Sequence, residues 1–356
     1  MDRYWSNIAK NIESYVPGEQ PRNREYIKLN TNENPYPPSP KVAQCIHSID
    51  LDNIRLYPDP SCKELCTVIA DYYNIRKEQI FIGNGSDEVL AFSFLAFFNP
   101  EEIILFPDIT YSFYRVYADL FKINYELIPL AADFSIPTQK LLTNKSIVLP
   151  NPNAPTGKYL LISEIEKILN YNKEKVIIID EAYIDFGGES AVKLIKKHLN
   201  LLIVQTMSKS RSLAGMRVGF AMGDENLILA LNQIKNSFNS YTIDCIALKV
   251  AAEAFKDMNY FEETRTRIMK TRAWVAKELN NLGFQVINSM ANFIFVSHPI
   301  YPAFKLYERL KEEGFLVRYF KQPRIDNYLR ISIGTDAEMH AFINIIKCLL
   351  EQGHIN

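Results

Sequence analysis

Lys209 stands eight residues before Arg217 in the run Thr206-Met207-Ser208-Lys209-Ser210-Arg211-Ser212-Leu213-Ala214-Gly215-Met216-Arg217. An apolar stretch, Leu201 to Val204, leads into it. A lysine that ends a buried strand can lose its proton and form a Schiff base with a carbonyl compound. An arginine just downstream can clamp a phosphate. Together they suggest pyridoxal 5'-phosphate (PLP) chemistry with Lys209 as the Schiff-base lysine. A lysine beside serines also suits a solvated loop, so this run needs support from other segments.

Lys175-Val-Ile-Ile-Ile-Asp180-Glu181-Ala182-Tyr183 reads as a buried parallel strand ending in an acid. Ligands of open α/β sheets bind at such strand ends. Asp180 could accept a hydrogen bond from a protonated pyridine nitrogen and so keep the ring an electron sink. Tyr183 could donate to the cofactor's phenolic oxygen. The alternative for Asp180 is a cap for the next helix.

Phe81-Ile82-Gly83-Asn84-Gly85-Ser86-Asp87-Glu88 joins a short strand to an apolar helix, with Ser86 as its expected cap. Free N–H groups and the helix dipole favour a phosphate there. It is not a dinucleotide fingerprint, because Glu88 replaces the third glycine. In Leu149-Pro150-Asn151-Pro152-Asn153-Ala154-Pro155-Thr156-Gly157, three prolines and a glycine force a rigid turn that can hold an asparagine against a planar ligand. Arg318 and Arg330 each lie on a β-rich run. They either sit on the solvated face of a sheet or aim two guanidiniums into one cleft, where a carboxylate or phosphate would be bound.

The elements that must position these residues alternate along the chain. Strands are expected near 79–83, 102–106, 126–130, 146–150, 175–180, 201–206 and 217–222, separated mostly by helical patterns. This pattern predicts an α/β fold with a mainly parallel mixed sheet between helices. Ser61-Cys-Lys-Glu64 reads as a capping box. A long helix is expected from about Tyr260 to Leu282, leading to a smaller unit from Phe284 to Glu351. The active site should lie between the two units.

The 356 residues allow two domains, and 40 basic against 41 acidic residues give a net charge of −1, which argues against a nucleic-acid partner. Cys45, Cys62, Cys66, Cys245 and Cys348 are scattered and read as reduced thiols, with no metal site expected. The polar opening Met1-Asp2-Arg3-Tyr4-Trp5 is no signal peptide, and no apolar run is long enough to span a bilayer. A cytoplasmic enzyme without a membrane partner is expected.

In chain order these segments resemble the fold-type-I PLP-dependent aminotransferases of class II, over essentially the whole chain from Tyr15-Val-Pro-Gly-Glu-Gln-Pro21 to Tyr328-Leu-Arg330-Ile-Ser-Ile-Gly334-Thr335. Lys28-Leu-Asn30-Thr-Asn32-Glu33-Asn34-Pro35, Arg55-Leu-Tyr57-Pro58-Asp59-Pro60 and the pair Arg318 and Arg330 make it most similar to the histidinol-phosphate aminotransferase family. The resemblance implies an N-terminal arm (1–29), a large PLP-binding domain (30–258) and a small α+β domain (259–356) completed by the arm. It implies that Lys209 carries the cofactor and moves protons, that Asp180 pairs with the pyridine nitrogen, and that Tyr183 bonds the phenolic oxygen. Tyr111 would stack on the ring. Gly85, Ser86, Asp87, Thr206, Ser208 and Arg217 would surround the phosphate, with Tyr57 reaching it from the second subunit of a homodimer. Tyr15, Asn30, Arg318 and Arg330 would line the substrate site.

Two departures from the family pattern stand out. The asparagine usual before Pro-Thr-Gly is Ala154 here, and Asn153 is expected to take its place beside Tyr183. Arg324 is an extra cation that could meet a substrate anion. The implied reaction converts L-histidinol phosphate and 2-oxoglutarate to imidazole-acetol phosphate and L-glutamate, a step of histidine biosynthesis. Alternatives on the same fold are an aromatic or broad-range amino acid aminotransferase, a phospho-amino-acid (threonine-phosphate) decarboxylase, and a non-enzymatic PLP-binding regulator. The regulator class carries an added N-terminal helix-turn-helix, for which the stretch here is too short. An NAD-binding dehydrogenase is disfavoured by the missing glycine.

Overall fold

The computed structural model describes residues 3–21 and 24–351. Met1 and Asp2 of the polar opening, residues 22–23 of the arm and 352–356 of the C-terminal unit lie outside the described residues.

A two-residue strand, β1 (Ile27–Lys28), closes the arm. A seven-stranded sheet follows: β2 (Ile80–Asn84), β3 (Ile103–Pro107), β4 (Asn124–Ile128), β5 (Ile147–Pro150), β6 (Ile177–Asp180), β7 (Leu201–Thr206) and β8 (Val218–Gly223). Their order is β2-β8-β7-β6-β5-β3-β4, and β8 runs against both of its neighbours while the other pairs are parallel. Strands β5 to β8 are buried along their whole length. Helices cover both faces, which is why these strands read as unbroken apolar runs. Alternate residues serve opposite cores. Ile177, Ile179, Leu201 and Ile203 pack on one side, and Ile178, Leu202 and Val204 on the other.

The long helix Met258–Asn281 leads to the second unit. There β9 (Gln285–Ile287), β10 (Phe293–Ser297), β12 (Arg318–Tyr319) and β13 (Leu329–Ser332) form an antiparallel sheet in the order β12-β13-β10-β9. Between them, β11 (Phe315–Leu316) pairs in parallel with β1. Leu29 continues the contact. Its N–H donates to Leu316 O (2.8 Å) and its carbonyl accepts from Ser332 N (2.9 Å). The arm is thereby fastened to the C-terminal unit, and Leu29 joins that unit's core.

Local details differ from expectation. Ser61 does not cap. Its helix starts at Lys63, and the Asp59 carboxylate accepts from Ser61 N and Lys63 N, both at 2.9 Å. A charged acceptor is favoured over a hydroxyl at a helix N-terminus. Ser86 is not a cap either. The helix Gly85–Phe97 begins one residue earlier, and the Glu88 carboxylate accepts from Asn84 N at 2.6 Å. Strand β4 starts two residues before its pattern suggested.

Candidate active site

Strands β5, β6 and β7 end side by side, with Pro150 opposite Asp180 and Asp180 opposite Val204. Thr206 lies opposite Gly219, and Asn84 opposite Val218. This register brings the proline turn, the acid, the lysine run and the glycine-rich turn to one edge of the sheet. A cleft between that edge and the second unit is lined by Lys209, Asp180, Tyr183, Ser86, Asp87, Tyr111, Thr206, Ser208, Arg217, Tyr15, Asn30, Arg318 and Arg330.

Lys209 reaches into the cleft, and its Nζ donates to the carbonyl of Thr31 at 3.1 Å. Burial, then the Arg330 guanidinium, push its pKa down to about 8, while Glu33 and Asp87 oppose them. The amine therefore releases its proton, and becomes nucleophilic, far more readily than an ordinary lysine.

Asp180 is buried at the end of β6. Its Oδ2 accepts from Tyr114 Oη (2.7 Å) and its Oδ1 from Ala182 N (3.1 Å). Burial lifts its pKa to about 6 despite those two bonds. A cation placed against it would restore the charged form. Tyr114 is fully buried on the first turn of the helix Phe113–Phe121, and its role was not apparent from the sequence.

One end of the cleft is built from backbone and small hydroxyls. Gly85 has φ +81°, and a Cβ there would meet Arg217 Nη2 at 2.5 Å. A Cβ at Gly219 would stand 2.2 Å from Ser86 N, so only glycine lets β8 lie against the helix start. Thr206 Oγ1 donates to Ser208 Oγ at 3.0 Å and accepts from Ser208 N at 3.2 Å. The Asp87 carboxylate accepts from Tyr111 Oη (2.7 Å) and Arg217 Nη2 (3.3 Å). It thus ties the Tyr111 ring and the Arg217 guanidinium to the start of the helix Gly85–Phe97.

At the other end, Tyr15 stacks on Phe113 (4.4 Å between centroids) and tilts toward Tyr111 (6.3 Å). Arg330 Nη2 donates to Asn30 O at 3.0 Å, and Arg318 Nη2 to Val16 O at 3.4 Å. The two arginines face the cleft, not the solvated side of the sheet.

Three expectations need separate treatment. Asn153 does not line the cleft. Its Nδ2 donates to Ile109 O and Thr156 Oγ1, both at 3.0 Å, and Ala154 takes the cleft-facing position. Adjacent side chains diverge in the turn, so one asparagine cannot stand in for its neighbour. Arg324 does not line the cleft. It is consumed by Asp108 Oδ2 (2.9 Å) and the carbonyls of Leu130 (2.8 Å) and Ala131 (3.1 Å), pinning the second unit to the loop that carries Tyr111. Tyr57 lies away from this cleft, 82 % exposed and stacked on Tyr241 at 4.5 Å.

The residues present fit PLP. Thr110 Oγ1, Asn30 Oδ1 and Arg330 Nε are buried cleft atoms without a partner among the described residues, as expected where a polar ligand completes the bonding. A partly deprotonated lysine, a buried acid and a hydroxyl-lined helix start match an aldehyde, a pyridine nitrogen and a phosphate respectively. No group of three or more His, Cys, Asp or Glu suited to a metal ion occurs among the described residues. No helix among them is long and apolar enough to cross a membrane.

Comparison with known proteins agrees with this geometry. The family "Aminotransferase class I and II" matches residues 24–346. A histidinol-phosphate aminotransferase of Clostridium botulinum (strain 657 / Type Ba4) is 58% identical, over 99% of this chain and 100% of that protein. The crystal structure of the histidinol-phosphate aminotransferase from Clostridium acetobutylicum superposes with a TM-score of 0.85 at 27% identity, covering 92% of this chain and 99% of that one. The Sinorhizobium meliloti enzyme in complex with pyridoxal-5'-phosphate shares the fold, with a TM-score of 0.87 at 20% identity over 98% of each chain. By sequence over nearly its full length, and by the residues gathered in its cleft, the chain belongs to the class I and II aminotransferases and, among them, to the histidinol-phosphate aminotransferase family.

Proposed function

We propose that the cleft binds PLP and transfers the amino group of L-histidinol phosphate to 2-oxoglutarate, giving imidazole-acetol phosphate and L-glutamate in histidine biosynthesis. The observation that carries this reading is the convergence of Lys209, Asp180 and Tyr183 on one side of the cleft with Arg318 and Arg330 on the other.

When bound, PLP supplies an aldehyde that takes up amino groups and a ring that accepts the electron pair left at the donor's α-carbon. The chain's own residues do the rest. Lys209 Nζ would hold the cofactor's aldehyde group, and as a free amine it would take the proton from the donor's α-carbon onto its own nitrogen and pass it back to the cofactor. Asp180 holds the pyridine nitrogen in its protonated form. Tyr183 donates to the phenolic oxygen, and Tyr111 covers the ring. The N–H groups of Gly85, Ser86 and Asp87, the hydroxyls of Ser86, Thr206 and Ser208, and Arg217 hold the phosphate. Arg318 and Arg330 accept the anionic end of either substrate, with Tyr15 and Asn30 beside them.

The working unit in this reading is a cytoplasmic homodimer with shared sites. Tyr57 stands exposed and stacked on Tyr241, and Leu51, Ile54 and Leu56, which precede it in sequence, are exposed too. A second copy covering these side chains would bring its Tyr57 to the phosphate. The chain divides into the arm (1–29), the large domain (30–258) and the small domain (259–356), a partition supported by separate apolar cores on the two sides of the cleft.

The test is a half-reaction screen. PLP-loaded protein is mixed separately with histidinol phosphate, phenylalanine, glutamate and threonine phosphate, following the visible spectrum and identifying products. Histidinol phosphate should react fastest, as a partner of glutamate. A far better reaction with phenylalanine would favour an aromatic aminotransferase, and carbon dioxide from threonine phosphate would favour a decarboxylase.

A further inference from the structure

Tyr183 has one protein hydrogen bond at its hydroxyl among the described residues, accepted from Asn32 Nδ2 at 2.9 Å. Asn32 is fully buried and lines the cleft. Its orientation is fixed from three directions. Its N–H donates to Ser332 Oγ (2.9 Å), the Ser332 hydroxyl donates back to Asn32 Oδ1 (3.0 Å), and Asn292 Nδ2 donates to its carbonyl (2.9 Å). Because a donor already occupies Oδ1, the amide must turn its NH2 toward Tyr183. A phenol oxygen that accepts such a bond keeps its own proton free to donate elsewhere, and the open direction is the cleft.

The turn that could have supplied an amide here does not. Position 154 is alanine, and Asn153 is committed to Ile109 and Thr156. We propose that Asn32 is a positioning residue that fixes the direction of the Tyr183 hydroxyl, so that this hydroxyl donates to the phenolic oxygen of bound PLP, and that it replaces the asparagine missing at position 154. The proposal rests on the PLP reading above. Asn32 belongs to the segment that leaves the second unit, so the donor that serves the cofactor is anchored on Ser332 and Asn292 of that unit.

The experiment is a pH titration of the visible absorption of PLP-loaded protein. A donor at the phenolic oxygen stabilises its negative charge. Without it, that charge holds the proton on the neighbouring imine nitrogen more tightly, and the titration moves to higher pH. Asn32→Gly suits the test, since glycine tolerates the φ of +55° found at Asn32 and keeps the backbone bonds to Ser332 and Asn292. It should titrate about one pH unit above wild type, as should Tyr183→Phe. The double variant should titrate with Tyr183→Phe alone, because the amide acts only through that hydroxyl. Ala154→Asn in the Asn32→Gly background should return the titration toward wild type. An Asn32→Gly titration equal to wild type overturns the proposal. So does a shift that persists undiminished without the Tyr183 oxygen. A wild-type protein that gains no visible band with PLP ends the cofactor reading itself, a result distinct from either.

Discussion

Arg318 and Arg330 lie directly opposite each other on the antiparallel strands β12 and β13, so two guanidiniums share one side of the sheet at the mouth of the cleft. Like charges in such a pair repel. Burial, with Arg318 contributing, lowers the Arg330 pKa, and Tyr183 works against that shift. The arrangement stores an appetite for an anion. In the proposed reaction two substrates alternate in one pocket, and the pair would accept a phosphate monoester and a carboxylate in turn. Planar guanidiniums match both.

Arg330→Ala should therefore raise the Michaelis constants for histidinol phosphate and 2-oxoglutarate together. A charge-assisted bond is worth roughly 1.5–3 kcal/mol, or about one to two powers of ten in kcat/KM. The visible spectrum of the resting protein should not change. Steady-state kinetics with each substrate varied in turn will show this. An effect on one substrate only would mean that the arginines are divided between them.

Lys209→Ala should abolish turnover yet retain some PLP, because the hydroxyls and Arg217 proposed to hold the phosphate are untouched. In the apoprotein, the rate of PLP capture should rise with pH through about 8, the Lys209 pKa, since the neutral amine attacks. Stopped-flow absorbance over that range measures it. The linked stability has a definite sign. Between about 8 and the ordinary 10.5 the unfolded lysine binds a proton that the folded one has released. Stability from this group therefore rises with pH across that window, and is absent above and below it as a slope. Lys209→Met should flatten it in urea titrations of the apoprotein.

Asp180→Ala should lose most activity, and Asp180→Glu should keep more, because a carboxylate against the pyridine nitrogen is the required feature. Tyr114→Phe, which removes one of the two donors to Asp180, should fall between wild type and Asp180→Ala. Equal turnover of Asp180→Ala and wild type would remove the assignment.

Mixing Lys209→Ala protein with Tyr57→Phe protein should yield hybrid dimers in which one site carries both defects and the other neither. Activity should exceed the average of the two parents after subunit exchange. A fully active monomer in light scattering would refute the shared site.

Much of this was legible from the chain. All seven strands of the large sheet begin within two residues of where apolar runs put them. Strands β5 to β8 are buried on both faces and leave an uninterrupted signature, whereas the edge strand β4 is only partly buried. Asp180 and Lys209 were visible because a polar residue ending such a run is conspicuous. What escaped was set by distant partners. Tyr114 meets Asp180 across 66 positions, and Asn32 meets Tyr183 across 151. Nothing local marks either one. The directions of Asn153 and Arg324 escape for the same reason. Their type suited the cleft, but which way each points is decided by Ile109, Thr156 and Asp108.

The pairing of β1 with β11 has a consequence for how the protein is born. Ile27 and Lys28 leave the ribosome early, but Phe315 and Leu316 emerge only near the end of translation. Until they do, Thr31 and Asn32 have no scaffold against which to meet Lys209 and Tyr183. A nascent chain can build its seven-stranded sheet, but its cleft stays incomplete until the two ends of the sequence join. Closing so long a loop is an entropic toll that falls on the last step of folding. A chain that stops before β11 keeps Asp180 and Lys209 on its sheet but lacks Arg318, Arg330 and the strand that fastens the arm.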